Sequence, residues 1–330
     1  MKILITGASG FIGTNALEYF SKKAEVVNID SIEPRCKEHL SYWKRVDLCN
    51  LQEVEDAFVS FSPDYIIHLA ARTDLNGKDL HAYDANITGV RNVLSSAEKC
   101  PNLKKILIAS SMLVCRAGYM PQNNFDYCPT TLYGESKVET ENIVWSNKPS
   151  CDWAIIRPTS MWGPWFSVPY RNFFDMVKKG VYFHIGHRSS TKTYGYIENA
   201  VYQIEKILFA DTKDEDNKVF YLGDDPATCV EDWANEIGMI LDRKIIRLPF
   251  WFVKVVACFG DILAKCNIWF PMYSFRLKNM TTDNIIDLRN TYKLAPCPPY
   301  NRIQGTKKTL EWMSKHPERK EESANKLVKS

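Results

Sequence analysis

The chain is predicted to adopt an α/β fold around a doubly wound parallel sheet, and three observations support this. A short apolar strand at the start runs directly into three glycines, Gly7, Gly10 and Gly13. Apolar strands then alternate with helical segments, which requires parallel strands joined by right-handed crossovers. Small or polar residues follow several of these strands, at the edge where parallel sheets bind ligands. Together they predict a Rossmann sheet with a smaller C-terminal region.

The glycine spacing predicts a dinucleotide site. The first glycine suits a turn with positive φ, the second lets the backbone approach a pyrophosphate, and the third lets helix and strand pack closely. The helix that starts there directs its free N–H groups at the phosphates. The alternative is a structural glycine-rich turn in another α/β domain, and the helix and second strand (25–29) that follow argue against it.

Asp30 ends that second strand and predicts the cofactor. It stands about twenty residues after the glycines, where a carboxylate can accept hydrogen bonds from the adenosine ribose. Its charge would repel a 2′-phosphate, so NAD is favoured. Arg35 is close enough in sequence that NADP is not excluded.

The alternation continues through the first half of the chain. Later predicted strands cover 45–48, 65–71, 105–109 and 153–156, and the helices between them cover 52–61, 80–99 and 132–145. The strand at 45–48 ends in an acid, which suggests an adenine contact. His68 lies inside an apolar strand and is interpreted as a satisfied core residue rather than a base.

Length and composition exclude several classes. The 330 residues are 45% apolar and 25% charged, which is ordinary for a globular protein with a sizeable core. A net charge of +3 from 42 basic and 39 acidic residues does not indicate nucleic acid as a partner. The ten cysteines show no metal-ligand spacing, so no metal is predicted, and free thiols fit a reducing cytoplasm. No signal peptide is expected, because the first strand begins at once.

The second half is less regular. Residues 1–165 are predicted to form the cofactor-binding core, with parts of 190–222 returning to it, and 166–330 to form mainly the substrate region. The predicted elements here are helices at 170–179, 198–209 and 230–241, a strand near Tyr182, an extended segment at 244–248 and a solvated loop at 211–217. The apolar segment 250–267 is interrupted by charges and is shorter than a bilayer span of about 20 residues. A packed helix is predicted there, with an interfacial helix as the alternative, and the tail 316–330 is expected to be frayed.

A tyrosine and a lysine, Tyr133 and Lys137, are one helical turn apart on one face. A nearby cation stabilises a phenolate and lowers its pKa from about 10, so that it can remove an alcohol proton while a hydride leaves the same carbon. Ser111 follows a parallel strand and can hydrogen-bond the same substrate oxygen. The order of these motifs after the dinucleotide turn favours catalysis over a chance surface pair.

These residues resemble the extended short-chain dehydrogenase/reductase family, which includes NAD-dependent nucleotide-sugar epimerases, dehydratases and reductases. The motifs that carry the resemblance are Thr6–Gly13, Asp30, Asp47-Leu48, Leu69-Ala70-Ala71, Asn86, Ser110-Ser111, Tyr133-x-x-x-Lys137 and Arg157-Pro158. The resemblance implies a catalytic set of Ser111, Tyr133 and Lys137, a homodimer formed through a four-helix bundle, and a cytoplasmic enzyme. The cofactor contacts it implies are Gly7, Gly10, Phe11, Ile12, Gly13, Asp30, Asp47, Leu48, Leu69, Ala70, Ala71, Asn86, Tyr133 and Lys137.

Departures from the family pattern narrow the reaction. Where the family's sugar dehydratases carry an Asp-Glu pair, this chain has Met112-Leu113. Two residues further on, the family usually has an aromatic residue, and this chain has Cys115. Lys192 stands where the family binds a substrate diphosphate through arginine, so the predicted substrate contacts are Ser111, Met112 and Lys192. The leading hypothesis is a nucleotide-sugar epimerase with tightly held NAD. The alternatives are a reductase or dehydrogenase of a keto-sugar or sterol-like alcohol, whose site the segment 250–267 would line, and a non-catalytic NAD sensor.

Overall fold

A computed structural model describes residues 1–187, 189–212, 218–266, 268 and 270–317. The strands are β1 Lys2–Thr6, β2 Glu25–Asp30, β3 Trp43–Arg45, β4 Tyr65–His68, β5 Lys105–Ala109, β6 Asp152–Pro158, β7 Ser160–Trp162, β8 Phe183–Ile185, β9 Thr191–Lys192, β10 Tyr194–Tyr196, β11 Val219–Leu222, β12 Thr228–Cys229 and β13 Ile246–Leu248. The helices are α1 Phe11–Phe20, α2 Leu51–Phe61, α3 Asp84–Ala97, α4 Leu132–Asn147, α5 Arg171–Lys178, α6 Ile197–Phe209, α7 Val230–Ile240, α8 Phe250–Lys265, α9 Ser274–Thr281, α10 Arg289–Leu294 and α11 Arg302–Lys315.

Seven of the described strands form one parallel sheet in the order β3-β2-β1-β4-β5-β6-β11. The strand order reverses between β1 and β4, and ligands of such sheets bind outside the carboxyl ends of the strands at this point. Helices cover both faces, so the central strands are buried on both sides and their sequences are continuous apolar runs. The predicted doubly wound α/β fold is confirmed.

Two hydrophobic layers hold the helices on the sheet. Side chains such as Phe58 of α2, Val90 of α3 and Val144 of α4 pack on one face. Leu17 of α1 and Ile204 of α6 pack on the other. The second half of the chain therefore contributes α6 and β11 to the sheet domain.

A separate aromatic cluster forms the core of the C-terminal region. Trp162, Phe174, Tyr196 and Trp233 are buried together, and Met313 of α11 closes the cluster. The cluster joins β7, β10, α5, α7 and α11. This region therefore stands beside the sheet with a core of its own.

Several predicted boundaries shift in the structure. The predicted strand 45–48 is wrong, because β3 ends at Arg45 and the Asp47 carboxylate then accepts a hydrogen bond from the Cys49 N–H in a turn. β4 ends at His68, because the Ala70 N–H donates to the Thr6 hydroxyl and not to a backbone carbonyl of the neighbouring strand β1. The predicted helix 80–99 begins as a 3₁₀ turn at Leu80–Tyr83. Residues 213–217 of the predicted loop and 318–330 of the predicted tail lie outside the described residues.

The apolar segment 250–267 contains the predicted helix, α8, which packs through one face. Among its described residues only Val253, Ala257 and Gly260 are buried, and Val253 and Ala257 pack against Phe183, Ile185 and Leu248 among others. Most of its large apolar side chains are exposed. No helix among the described residues is long and apolar enough to cross a membrane.

Candidate active site

The glycine turn has the geometry that the spacing predicts. Gly7 has a φ of 75°, and a Cβ there would lie 2.5 Å from the backbone of Ala70. A Cβ at Gly13 would lie 2.2 Å from the Gly7 carbonyl oxygen. At Gly10, which precedes α1, a Cβ would meet only that same oxygen, at 3.2 Å. The N-terminus of α1 thus lies at the switch between β1 and β4, the crevice where ligands of such sheets bind, and the space left by these glycines suits the approach of a pyrophosphate.

Side chains from neighbouring strands hold this turn in place. Asn28 accepts a hydrogen bond from the Ala8 N–H at 3.0 Å and donates one to Ser9 at 3.2 Å. Thr6 accepts from the Ala70 N–H at 3.1 Å and pairs with His68 at 2.7 Å. Burial, together with the charge of Lys137, lowers the pKa of His68 to about 3, so its ring is neutral. His68 is a satisfied core residue, as predicted, and Asn28 is a positioning residue that the sequence patterns did not reveal.

Asp30 lies at the edge of the crevice. Its carboxylate accepts hydrogen bonds from the N–H groups of Ser9 and Ile32, both at 3.1 Å. Burial raises the pKa of this carboxyl above its ordinary value, and the two N–H donors oppose that effect. The Arg35 guanidinium donates to the carbonyls of Ser9 and Trp165, at 3.2 and 2.7 Å. Both residues that bear on cofactor choice therefore stand at the same end of the site.

We expect NAD(H) to bind at least tenfold more tightly than NADP(H), about 1.4 kcal/mol, because the Asp30 carboxylate repels a 2′-phosphate and Arg35 is engaged with backbone carbonyls. Titration of the protein with each cofactor, followed by nicotinamide fluorescence, measures the ratio. Asp30→Ser removes the repelling charge and should narrow the ratio. Equal or reversed affinities in the wild-type protein would contradict the assignment.

The remaining predicted cofactor residues lie on both sides of the crevice. Asp47 and Leu48 precede α2, and the Leu48 side chain faces Gly89 of α3. Leu69, Ala70 and Ala71 follow β4 and are partly exposed, next to the glycine turn. Phe11 and Ile12 begin α1 and are also partly exposed. Their contacts with a cofactor stay predictions.

Asn86 makes its hydrogen bonds within the protein. Its amide accepts from the Arg72 N–H at 2.8 Å and donates to the Arg72 carbonyl at 3.0 Å and to Ser136 at 2.9 Å. Both donor hydrogens are thus used within the protein, and the side chain is buried. Asn86 ties the segment after β4 to α4, and its contact with a cofactor stays a prediction.

Three predicted catalytic residues meet at the carboxyl edge of β5. Ser111 follows that strand and accepts a hydrogen bond from the Leu113 N–H at 3.1 Å. Tyr133 lies in the first turn of α4, within hydrogen-bonding reach of Ser111. Lys137, one turn later, donates to the Ala109 carbonyl at 2.8 Å. All three side chains are buried, so the local environment controls their charge.

The charges in this group depend on burial. Burial raises the pKa of Tyr133 to about 12, against a lowering contribution from the hydrogen bond with Ser111. Burial lowers the pKa of Lys137 to about 8, and the Glu141 carboxylate opposes that effect. Without a further positive charge Tyr133 therefore stays protonated at neutral pH. The positively charged nicotinamide ring of NAD would supply such a charge when the cofactor is bound.

Glu141, one turn beyond Lys137 on α4, is a functional neighbour that the sequence patterns did not reveal. It receives two hydrogen bonds from Arg157 on β6, Nε to Oε1 at 2.8 Å and Nη2 to Oε2 at 2.6 Å. Tyr127 donates a third at 2.8 Å. Burial alone would lower the pKa of Arg157, but the bonds to Glu141 raise it overall, so the guanidinium stays charged. It anchors the face of α4 that carries Tyr133 and Lys137.

The predicted substrate residues lie on the C-terminal side of this group. The Met112 sulfur is 3.9 Å from the Asn284 amide nitrogen, and the backbone of Asn284 bridges to β9 at Lys192. The Lys192 ammonium donates to the Asn279 carbonyl of α9 at 2.6 Å. Burial lowers the pKa of Lys192, and Asp283 opposes that effect. Met112 and Lys192 are thus connected through one segment, 279–284. Cys115 is buried and faces the Asp126 carbonyl.

No group of three or more His, Cys, Asp or Glu side chains among the described residues could hold a metal ion. The donors here are hydroxyl, phenol, ammonium and backbone N–H groups. These suit a dinucleotide with its phosphates on the helix N-terminus and an alcohol near Tyr133.

The chain resembles curated enzymes over nearly its whole length. It is 26% identical over 332 residues to the N-acetyl-alpha-D-glucosaminyl-diphospho-ditrans,octacis-undecaprenol 4-epimerase of Escherichia coli O157:H7, covering 95% of this chain and 96% of that protein. It is 25% identical over 333 residues to the UDP-glucose 4-epimerase of Vibrio cholerae, covering 94% of each. Both relatives act on sugars, one carried by a polyprenol diphosphate and one by a nucleotide.

A solved structure shares the fold. The UDP-glucuronic acid 4-epimerase of Bacillus cereus, in complex with UDP-glucuronic acid and NAD, superposes with a TM-score of 0.72 at 18% identity, covering 96% of this chain and 99% of that one. Residues 3–223 match the profile of the NAD dependent epimerase/dehydratase family, which agrees with the predicted cofactor. The match spans the glycine turn, Asp30, Ser111, Tyr133 and Lys137. The chain therefore belongs to the NAD dependent epimerase/dehydratase family.

Proposed function

We propose that this protein is an NAD-dependent epimerase of a nucleotide sugar that acts by transient oxidation of a ring hydroxyl. The observation that carries the proposal is the meeting of Ser111, Tyr133 and Lys137 beside a glycine turn that admits a dinucleotide. The two curated relatives support sugar epimerisation. The homodimer and the cytoplasmic location implied by the family resemblance stay predictions.

Each side chain has a defined part in the reaction. Tyr133 as phenolate takes the hydroxyl proton of the sugar, and Ser111 donates a hydrogen bond to the same oxygen. Lys137, which donates a hydrogen bond to the Ala109 carbonyl, stabilises the phenolate through its positive charge. When bound, NAD supplies the nicotinamide that accepts the hydride and later returns it. The keto-sugar must rotate in the site so that the hydride returns to the opposite face of the oxidised carbon. Tyr133 then gives back the proton, and the product is the alcohol of inverted configuration.

Dehydration of the sugar is not supported. Elimination of water needs an acid and a base beside the reacting carbon, and the positions after Ser111 hold Met112 and Leu113. Among the described residues, the side chains that shift the pKa of Tyr133 are Ser111, Tyr170 and Tyr83, and none of them is a carboxylate. Oxidation followed by return of the hydride fits these groups.

The decisive experiment incubates the purified protein with UDP-, GDP-, CDP- and dTDP-sugars and follows interconversion of epimers by chromatography, without added cofactor. Epimerisation with NAD(H) that survives gel filtration is the expected result. Net production or consumption of NAD(P)H, with an empty site that needs added cofactor, would instead identify the alternative, a single-direction reductase or dehydrogenase. A sterol-like alcohol stays an alternative substrate, because the chain is 24% identical to a sterol-4-alpha-carboxylate 3-dehydrogenase of Candida albicans. Among the described residues, however, α8 packs on Phe183, Ile185, Leu248 and Met272 rather than on Ser111, Tyr133 or Lys137.

Lys192→Ala should raise KM about ten- to a hundredfold and leave kcat nearly unchanged. A charge-assisted contact with a diphosphate contributes about 1.5 to 3 kcal/mol, and it is made alike in the ground and transition states, away from the reacting carbon. Steady-state kinetics on the best nucleotide sugar measures both constants. Lys104→Ala is the control, because this lysine is 63% exposed and directly precedes β5, at the edge of the sheet opposite the site. An unchanged KM would reject the diphosphate role and favour the dehydrogenase alternative.

A further inference from the structure

One face of α8 exposes large apolar side chains directly opposite its packed face. Trp251, Val255, Phe259 and Ile262 are 67, 62, 54 and 59% exposed. Their spacing of four, four and three residues places them on one side of the helix. We call these four residues the exposed face of α8.

Neighbouring residues extend this apolar surface. Phe250 and Phe252 on α8 are 47 and 44% exposed, and Phe275, in the first turn of α9, is 64% exposed. Single exposed apolar residues are normal on a soluble protein, but a contiguous patch marks an interaction surface. Tryptophan and phenylalanine on one side of an amphipathic helix are typical of helices that lie in a membrane interface.

The charges around this surface are strongly one-sided. From the start of α8 at Phe250 to residue 280 the chain carries four basic residues and one acidic residue, Asp261. Asp261 accepts hydrogen bonds from the backbone and hydroxyl of Ser274. Lys254, which borders the exposed face of α8, and Lys278 on α9 are exposed and form no ion pair with any described residue. The surface is therefore complementary to anionic headgroups.

We propose that the exposed face of α8 binds the surface of an anionic lipid bilayer, with Lys254 and Lys278 at the headgroups. The helix has 16 residues and is about 24 Å long, shorter than the hydrocarbon core, so it lies along the surface. A second copy fits less well. A twofold interface pairs the same patch with itself, and here it would bring the basic residues of both copies together.

Side-chain packing and one hydrogen bond connect this surface to the substrate side of the active site. α8 packs on α9 through Ala257 and Leu277, and the Asn279 carbonyl of α9 receives the Lys192 ammonium. The docked bilayer would therefore adjoin the region of Lys192. The inference rests on the exposed face and its charges, and it holds whatever substrate the enzyme uses.

The test measures sedimentation of the full chain with vesicles of phosphatidylcholine alone and with added phosphatidylglycerol. We expect binding to the anionic vesicles that weakens with salt. The triple variant Trp251→Ser/Phe259→Ser/Ile262→Ser should lose at least tenfold in partitioning. A matched variant, Val59→Ser/Leu75→Ser/Met239→Ser, removes three apolar side chains that are equally exposed elsewhere and should bind like wild type. Lys254→Gln and Lys278→Gln should each weaken binding about fivefold.

Quenching of tryptophan fluorescence by brominated lipid gives a second measurement that does not depend on the triple variant being folded. Wild type should be quenched on binding, and Trp251→Phe, which keeps an aromatic ring, should lose that quenching. Failure of wild type to bind anionic vesicles, or equal binding by a folded triple variant, would overturn the proposal. So would a triple variant that changes only from dimer to monomer in analytical ultracentrifugation, since that result would assign the face to a second copy.

Discussion

Tyr133→Phe is expected to lower turnover by about three orders of magnitude or more while cofactor binding stays within a fewfold of wild type. The substitution removes the proton acceptor and almost no volume. Tyr133 is 8% exposed, so water cannot easily replace the lost hydroxyl. Epimer interconversion measured by chromatography, with NAD(H) affinity measured by fluorescence titration on the same preparation, separates the two effects.

Tyr83→Phe is the matched control for this variant. Tyr83 is also buried, its ring centroid is 6.3 Å from that of Tyr133, and its hydroxyl donates to the Asp74 carbonyl at 2.8 Å. The same hydroxyl accepts a hydrogen bond from the Gly77 N–H at 3.2 Å, so its loss removes two structural hydrogen bonds and should change turnover little. Activity of Tyr133→Phe within tenfold of wild type, or an equal loss in both variants, would remove Tyr133 from its catalytic role.

Arg157→Met is expected to lower the free energy of unfolding by about 3 to 5 kcal/mol. The substitution leaves the Glu141 carboxylate buried without its cation, and breaking a buried pair from one side has a cost of this order. Side-chain exposures of 1 and 0% leave no route for solvent to replace the guanidinium. Urea denaturation followed by circular dichroism measures the change.

Two further variants test the reason for that loss. Arg157→Met/Glu141→Leu removes both charges and should recover much of the lost stability, because no uncompensated carboxylate remains. Arg289→Met breaks an exposed pair with Asp287, whose side chains are 88 and 50% exposed, and should have almost no effect. A loss at Arg157→Met no greater than at Arg289→Met would contradict the argument.

The local sequence was sufficient for most of the sheet. β2 and β5 are short apolar runs with turn residues after them, and the structure places each within one residue of its prediction. The glycine turn was predictable from the spacing alone, because a side chain at any of the three glycines would lie too close to backbone atoms of the turn itself or of the segment after β4. Strand ends were less predictable, since a strand stops where its neighbour's hydrogen bonds stop. β3 and β4 show this.

The sequence by itself determined the α/β alternation, the glycine turn, the acid at Asp30 and the Tyr133–Lys137 spacing, because each depends on residues near one another in the chain. Only the tertiary structure decided the rest. Asn86 has its amide hydrogens taken by Arg72 and Ser136, and Glu141 finds Arg157 sixteen residues away on another element. The sequence of α8 predicted a helix, but the fold decided that one of its faces stays open. Local pattern specifies a side chain's position on its own element, whereas burial depends on which distant elements are close enough to cover it.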